Sequence, residues 1–302
     1  MRKVLCIGHS AYDITLPIRV FPEENKKYNV KSIIECGGGP AGNAACLIAK
    51  WGLHSSYAGI IGKDVYGMKI RDEYREFGVD LEYLVLDDYY TTPFSFILAN
   101  SENGSRTLFN YDKQNNSNYK IRYKEDTPDT ILVDGHALDA SIEAIKKFPD
   151  ATSILDGGSY THATEILAGM VDYLVCSEDF AKKYTGALIL DSQHTIDPAF
   201  KKLEILNKKN IIVTLGEKGS LYKDKDEIIR QKAYAVEAKD TTGAGDIFHG
   251  AFAFCITQGF SLKKTLKISS IAAALSVRKL GGRVSIPSYE EVIRLYEKEK
   301  AL

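Results

Sequence analysis

Short apolar runs alternate along this chain with stretches in which apolar residues return every three or four positions. The runs at 3–8, 56–61, 130–133, 153–155, 173–176 and 211–215 read as strands, several with helical stretches between them. That alternation predicts a parallel sheet covered by helices on both faces, a doubly wound α/β fold. Ligands in such folds lie beyond the carboxyl ends of the strands. Two regions break the pattern. Segment 12–36 carries Pro17 and Pro22 with polar alternation, and 92–111 shows two β-like runs around the turn Asn100-Ser101-Glu102-Asn103-Gly104-Ser105. They are expected to pair as a small antiparallel sheet projecting from the core, where a lid would sit.

Near the C-terminus, Ser288 followed by Glu291 gives a capping box before a last amphipathic helix. Asn115-Asn116-Ser117-Asn118 reads as a polar loop. The 302 residues, 44% of them hydrophobic, are enough for one large α/β domain spanning 1–302. With 39 basic and 40 acidic residues the formal net charge is −1, so nothing in the overall charge favours nucleic acid or an anionic membrane. Any phosphate binding must therefore be local. No apolar segment reaches the roughly 18 residues of a membrane span, and 1–4 run straight into a strand rather than a signal peptide, so a cytoplasmic location is expected. Cys6, Cys36, Cys46, Cys176 and Cys255 lie scattered, mostly in apolar runs, and read as reduced core residues.

The chemistry concentrates in Asp240-Thr241-Thr242-Gly243-Ala244-Gly245-Asp246, which leads into an apolar helical run beginning at Ile247, with Gly259 offering its stop. The first amides of a helix lack intrahelical acceptors and sit at the positive end of its dipole, so such a turn suits a phosphate. A carboxylate beside a phosphate is repelled unless a cation or proton intervenes. Asp246 therefore reads as a base or, more plainly, as a helix cap. Asp240 reads as a turn-initiating Asp.

A second glycine cluster, Gly37-Gly38-Gly39-Pro40-Ala41-Gly42-Asn43, formally satisfies G-x-G-x-x-G with Asp64 downstream. It admits an NAD-dependent oxidoreductase, a cradle for a polyhydroxylated ligand with Asn43 as donor and acceptor, or a tight turn. Asp13, expected near the end of the first strand, could accept sugar hydroxyls or be a surface residue. Thr214-Leu215-Gly216-Glu217-Lys218-Gly219 suits a nucleotide or a plain hairpin. The pattern G-x-x-x-x-G-K-[ST] is absent, as are zinc-like His/Cys spacing and a G-x-S-x-G elbow. Among the histidines, His136 alone sits where a strand should end.

Together with Gly62-Lys63-Asp64-Val65-Tyr66-Gly67 and Phe77-Gly78-Val79-Asp80, these motifs resemble, in order, the signatures of the ribokinase-like PfkB carbohydrate kinases. The resemblance implies ATP- and Mg2+-dependent phosphorylation of a sugar or nucleoside hydroxyl, on a sheet with a β lid that forms a homodimer contact. Asp246 matches the family's base, and Gly243, Ala244 and Gly245 match its anion hole. Asp13, Gly39 and Asn43 match sugar-binding positions, to which Arg106 and His136 are added as candidates. Thr214, Gly216 and Gly219 match nucleotide contacts. Asp240, Thr242, Ser276, Lys279, Gly281 and Ser285 resemble the monovalent-cation (K+) site of potassium-activated members. One departure concerns magnesium: where the family commonly has Asn-x-x-Glu, this chain has Ser177 and Phe180, leaving Ser177 on the nucleotide side and Glu178 or Asp179 as substitutes. Ketohexokinase also lacks that pair, and Asn103-Gly104-Ser105-Arg106-Thr107 looks like part of its lid, so the acceptor is expected to be a ketose such as fructose. Arg106 is expected to pair with a phosphate or acidic substituent, or to be a solvated hairpin residue. A nucleoside or ribose acceptor is the alternative.

Overall fold

The computed structural model describes residues 2–111 and 119–300, so the polar loop at 115–118 lies outside the described residues. The chain opens with β1 (Lys3–Ile7), β2 (Ala11–Ile18), β3 (Ile34–Gly38) and α1 (Pro40–Lys50), and continues through β4 (His54–Gly62), α2 (Val65–Phe77) and β5 (Asp80–Asp87). The hairpin β6 (Phe94–Asn100) and β7 (Arg106–Tyr111) follows. Next come β8 (Thr130–Val133), α3 (Leu138–Lys147), β9 (Thr152–Gly157), α4 (His162–Ala168), β10 (Tyr173–Ser177) and α5 (Glu178–Thr185). The last third holds α6 (Gln193–Leu206), β11 (Asn210–Thr214), β12 (Ser220–Asp224), β13 (Glu227–Gln231), α7 (Ala244–Thr257), α8 (Leu262–Ser276) and α9 (Tyr289–Lys300). Ser288 accepts the Glu291 N–H at 3.2 Å, capping α9 as its sequence predicts.

Among the described residues the main sheet runs β13-β12-β11-β10-β9-β8-β1-β4-β5. From β11 to β5 neighbours are parallel, and β12 and β13 add an antiparallel edge. Burial on both faces explains why its strands read as continuous apolar runs. Side chains of β1 alternate between two cores: Val4 and Cys6 face the one built on α1, α2, α7 and α8, and Leu5 and Ile7 face the one built on α3, α5 and α6. Chain order reverses between β1 and β8, and the crevice at the carboxyl ends of those two strands is where a ligand site belongs.

The lid is a separate sheet ordered β3-β2-β6-β7. It is mixed rather than wholly antiparallel, because its central pair β2 and β6 is parallel. The reason is topological: β2 continues from β1 and β6 from β5, so both leave the same end of a parallel sheet. Asp13 accordingly sits on β2 in the lid, opposite Cys36 and Ser95, and not at the end of the first strand. No helix among the described residues is long and apolar enough to cross a membrane, and all five cysteines are free and buried.

Candidate active site

The turn before α7 is closed by Gly243, whose φ of 73° puts it in the left-handed region at the capping position, with no side chain acting as cap. Asp246 therefore lies inside the first turn and is not the cap. Its Oδ2 accepts the Asn43 Nδ2–H at 2.7 Å, across from α1. A Cβ placed on Gly245 would meet nothing within 4 Å, so there is open space beside this turn, while the Ala244 N–H closes onto the Thr241 carbonyl at 3.3 Å. Burial drives the Asp246 pKa up to about 7, aided by the negative charge of Asp156 and opposed by the Asn43 bond and by His249. His249 is itself buried, its ring within reach of the Gly245 carbonyl (2.6 Å), the Val175 carbonyl (3.0 Å) and Asp156 (3.2 Å).

Asn43 uses both ends of its amide, since its Oδ1 accepts from Arg283 Nε at 3.2 Å. Gly39, with φ 87°, caps α1 just beneath, and Asp13 stands beside Gly38. Burial lifts Asp13 to about 6, against the pull of Arg283 and Ser95. At the crevice between β1 and β8, Asp134 accepts the His9 N–H (2.7 Å) and the His136 N–H (2.9 Å), while the two imidazoles stack at 4.7 Å. Burial pushes Asp134 up, but His136 and these N–H groups outweigh it and hold the carboxyl at about 2. Arg106, on the lid, donates from Nη1 to Thr241 Oγ1 at 2.7 Å, and that hydroxyl reaches the Gly104 carbonyl at 3.3 Å. The tip of the lid thus rests on the turn that holds Asp246.

The dinucleotide alternative fails on geometry. The strand leading into the glycine run is β3, a lid strand paired with β2, and Asp64 is spent capping α2 (Gly67 N–H, 2.8 Å) and accepting the Thr92 N–H (2.8 Å). On the opposite side, Ser177 and Thr214 are register neighbours at the carboxyl ends of β10 and β11. Ser177 caps α5, accepting from Phe180 N at 3.0 Å and donating to the Gly158 carbonyl at 2.9 Å. From Thr214 a short 3-10 turn over Gly216–Lys218 leads through Gly219 into β12, so the segment is a hairpin whose turn also faces this end of the sheet. Phe180 is core, and Glu178 and Asp179 are paired with Lys182 (2.8 Å) and Lys183 (2.9 Å). Among the described residues no three carboxylates, imidazoles or thiols gather to hold a metal.

The monovalent-cation candidates converge only in part. Buried Asp240 accepts the Thr242 N–H (2.9 Å) and the Gly281 N–H (2.8 Å), drawing the two segments together. The Ser285 hydroxyl is spent on the Gly282 carbonyl (2.6 Å) and that of Ser276 on Ala273 within α8 (2.8 Å), while the Lys279 N–H closes onto the Ser276 carbonyl (3.1 Å). Thr242 Oγ1 is buried without a partner beside Asp240, a hard oxygen of the kind such a cation takes.

Residues 1–288 match the family described as pfkB family carbohydrate kinase. The chain belongs to that family. It is an ATP-dependent phosphotransferase acting on a sugar or nucleoside. A nucleoside kinase from Methanothermobacter thermautotrophicus is 24% identical over 98% of this chain and 96% of its own length. A ribokinase from Staphylococcus aureus is 26% identical over 96% of this chain and 98% of its own. The structure of Arabidopsis thaliana ribokinase complexed with ribose and ATP superposes with a TM-score of 0.82, at 26% identity over 97% of this chain and 98% of that one. These relatives are ribokinases and a nucleoside kinase, and they do not carry the expected lean toward a ketohexokinase or fructokinase.

Sequence reasoning missed Asp134, Asp156, Glu73, His249 and Arg283 in this pfkB kinase. The two aspartates carried a usable signal, since each stands at the end of an apolar strand run. Arg283 carried none beyond its place after two glycines.

The raised pKa of Asp246 is a statement about stability. Its folded value of about 7 lies above the ordinary carboxyl value, so at higher pH the folded state bears the cost of ionising it. Asp246→Asn is therefore expected to stabilise the protein at pH 8 by up to about 4 kcal/mol, an advantage that shrinks as pH falls below 7 and vanishes below about 4. Thermal melts of both proteins across that range check it, and a difference independent of pH contradicts it.

Proposed function

We propose that this kinase transfers the ATP γ-phosphoryl group to the primary hydroxyl of a ribofuranose, as free ribose or within a nucleoside. The carrying observation is Asp246: a carboxylate at the positive end of a helix, held by Asn43 and shifted toward neutrality so that it can take a proton near pH 7. Asp246 accepts the hydroxyl proton as the oxygen attacks in line. The amides of Gly243, Ala244 and Gly245 face the charge that grows on the transferring group. Asp13, Gly39, Asn43 and His136 orient the acceptor, and Thr214, Gly216 and Gly219 the nucleotide, with Ser177 beside them. Arg106 keeps the lid down on the turn and so excludes water. Ribose and nucleosides share the furanose ring, and the ribokinase and nucleoside kinase relatives favour it over a ketose. Magnesium would enter bound to the ATP phosphates, as is usual at phosphoryl-transfer sites. The five reduced cysteines fit a cytoplasmic setting.

A phosphate-transfer assay decides the acceptor: ribose and adenosine-type nucleosides are expected to exceed fructose at least about tenfold in kcat/KM. Fructose in first place overturns the reading. In the same assay Asp246→Asn is expected to lower turnover by about a hundredfold or more with the fold intact, and near-normal turnover would remove it as the base.

Asp240, the Thr242 carbonyl and the Gly281 loop are proposed to hold K+, which would offset the negative charge gathered at this turn. Turnover is expected to rise when tetramethylammonium chloride is replaced by KCl at equal ionic strength. No change rejects the site.

A homodimer through the lid is supported by one face of β6 and β7, where Phe96, Phe109 and Tyr111 are 44%, 58% and 48% exposed. Phe96 pairs with Phe109 across the hairpin, making a contiguous aromatic patch. Light scattering after size exclusion is expected to report a dimer that Phe109→Glu converts to monomer, and a monomeric parent protein refutes it.

A further inference from the structure

Arg283 is the largest side chain withdrawn from solvent among the described residues. A guanidinium cannot shed its charge and offers only donors, so it is tolerated there only if its N–H groups are met. Three of them are met by acceptors on three different elements, and a ring of α2 faces the guanidinium. Nε donates to Asn43 Oδ1 at 3.2 Å, Nη1 to Glu73 Oε2 at 3.1 Å and Nη2 to the Gly38 carbonyl at 3.1 Å, while its plane lies 4.7 Å from the Tyr74 ring. The glycine run is shaped to it: a Cβ on Gly37 would fall 1.9 Å from Nη1, and one on Gly42 would fall 2.9 Å from Nη2. Glu73 in turn takes the Gly37 N–H with both oxygens, at 3.0 and 2.8 Å.

This arrangement decides which way Asn43 faces. An asparagine amide can present either end to a carboxylate. Because Arg283 can only donate, it claims the oxygen of Asn43 and leaves the NH2 turned to Asp246. We propose that Arg283 is a positioning residue for the base, fixing the Asn43 amide as a donor to Asp246 and tying it to the root of the lid through Gly38 and Glu73. The inference rests on the reading of Asp246 as base.

Without Arg283 the amide is free to turn, and Asp246 loses the Asn43 hydrogen bond, which favours its ionised form. Asp156 from β9 and Asp13 from β2 then act on it against the pull of His249 from α7. Around Arg283 itself stand Glu73 and Tyr74 from α2, Cys36 from β3, Cys46 from α1 and Asp13. The acid limb of the pH–rate profile should consequently move to higher pH.

The test uses Arg283→Met combined with Glu73→Gln, so that no buried carboxylate is left unpaired, with Arg283→Lys as a milder second variant. Both are read by kcat and KM across pH in the full-length enzyme. The double variant is expected to lose about tenfold in kcat at pH 7, to shift the acid limb of kcat/KM upward by about half a unit or more, and to leave the KM for ATP within about twofold. Adding Asn43→Ala is expected to cost little more than Asn43→Ala alone, because the two act through one hydrogen bond. A wild-type acid limb in either folded variant, or additive losses, overturns the inference. If Asp246→Asn abolishes turnover while the Arg283 variants keep the wild-type profile, only the positioning role falls. If Asp246→Asn itself turns over normally, the reading of the base falls with it.

Discussion

The site depends on a single contact between two helices, the 2.7 Å hydrogen bond from Asn43 on α1 to Asp246 on α7. For those side chains to meet, the helices must cross closely, and they do so at Gly250, where an added Cβ would lie 2.9 Å from the Ala44 Cα. The sequence around the contact serves that approach. The small residues Ala41, Ala44 and Ala45 line α1, and α7 is apolar nearly all round because it is buried between α1, α8 and the sheet. The main sheet supplies the platform, and the contact joins residues two hundred positions apart in the chain.

Around this contact the protein holds aspartates of one type in opposite states. Asp134 takes N–H groups from His9, Ala41 and His136 and is kept strongly acidic. Asp246 is given one donor and a neighbouring carboxylate, Asp156, and is pushed the other way. Burial raises both, so the difference comes from how many donors each is allotted. Asp134 organises the crevice between β1 and β8, whereas Asp246 is left able to exchange a proton.

Much of this was legible in the chain. The apolar runs at 130–133 and 173–176 coincide with β8 and β10, because buried parallel strands leave a continuous apolar signature. The glycine turn before α7 announced a helix terminus for the same local reason. The mixed lid was not legible, because strand direction depends on where each strand leaves the main sheet. Asp13 was misplaced for a related reason: Gly8 to Ser10 break the first apolar run, and periodicity does not say that the next strand joins another sheet. Ser177 and Phe180 show the limit of motif matching, since one proves to be a helix cap and the other core. Arg283 was invisible because its meaning lies in partners scattered over β3, α1 and α2, none within reach of a sequence window.

The lid strands also bear on how such an enzyme changes over time. Asp13 and Arg106 ride on β2 and β7, while the turn with Asp246 and the Thr214 hairpin belong to the last third of the chain. On the proposed reading, the lid's share of the acceptor contacts and the phosphoryl-handling turn are thus written in different stretches of sequence that meet at the crevice. Substitutions on the lid can redraw which hydroxyl is offered while the phosphate-handling turn stays as it is, leaving one scaffold free to diversify its substrates without reinventing its reaction.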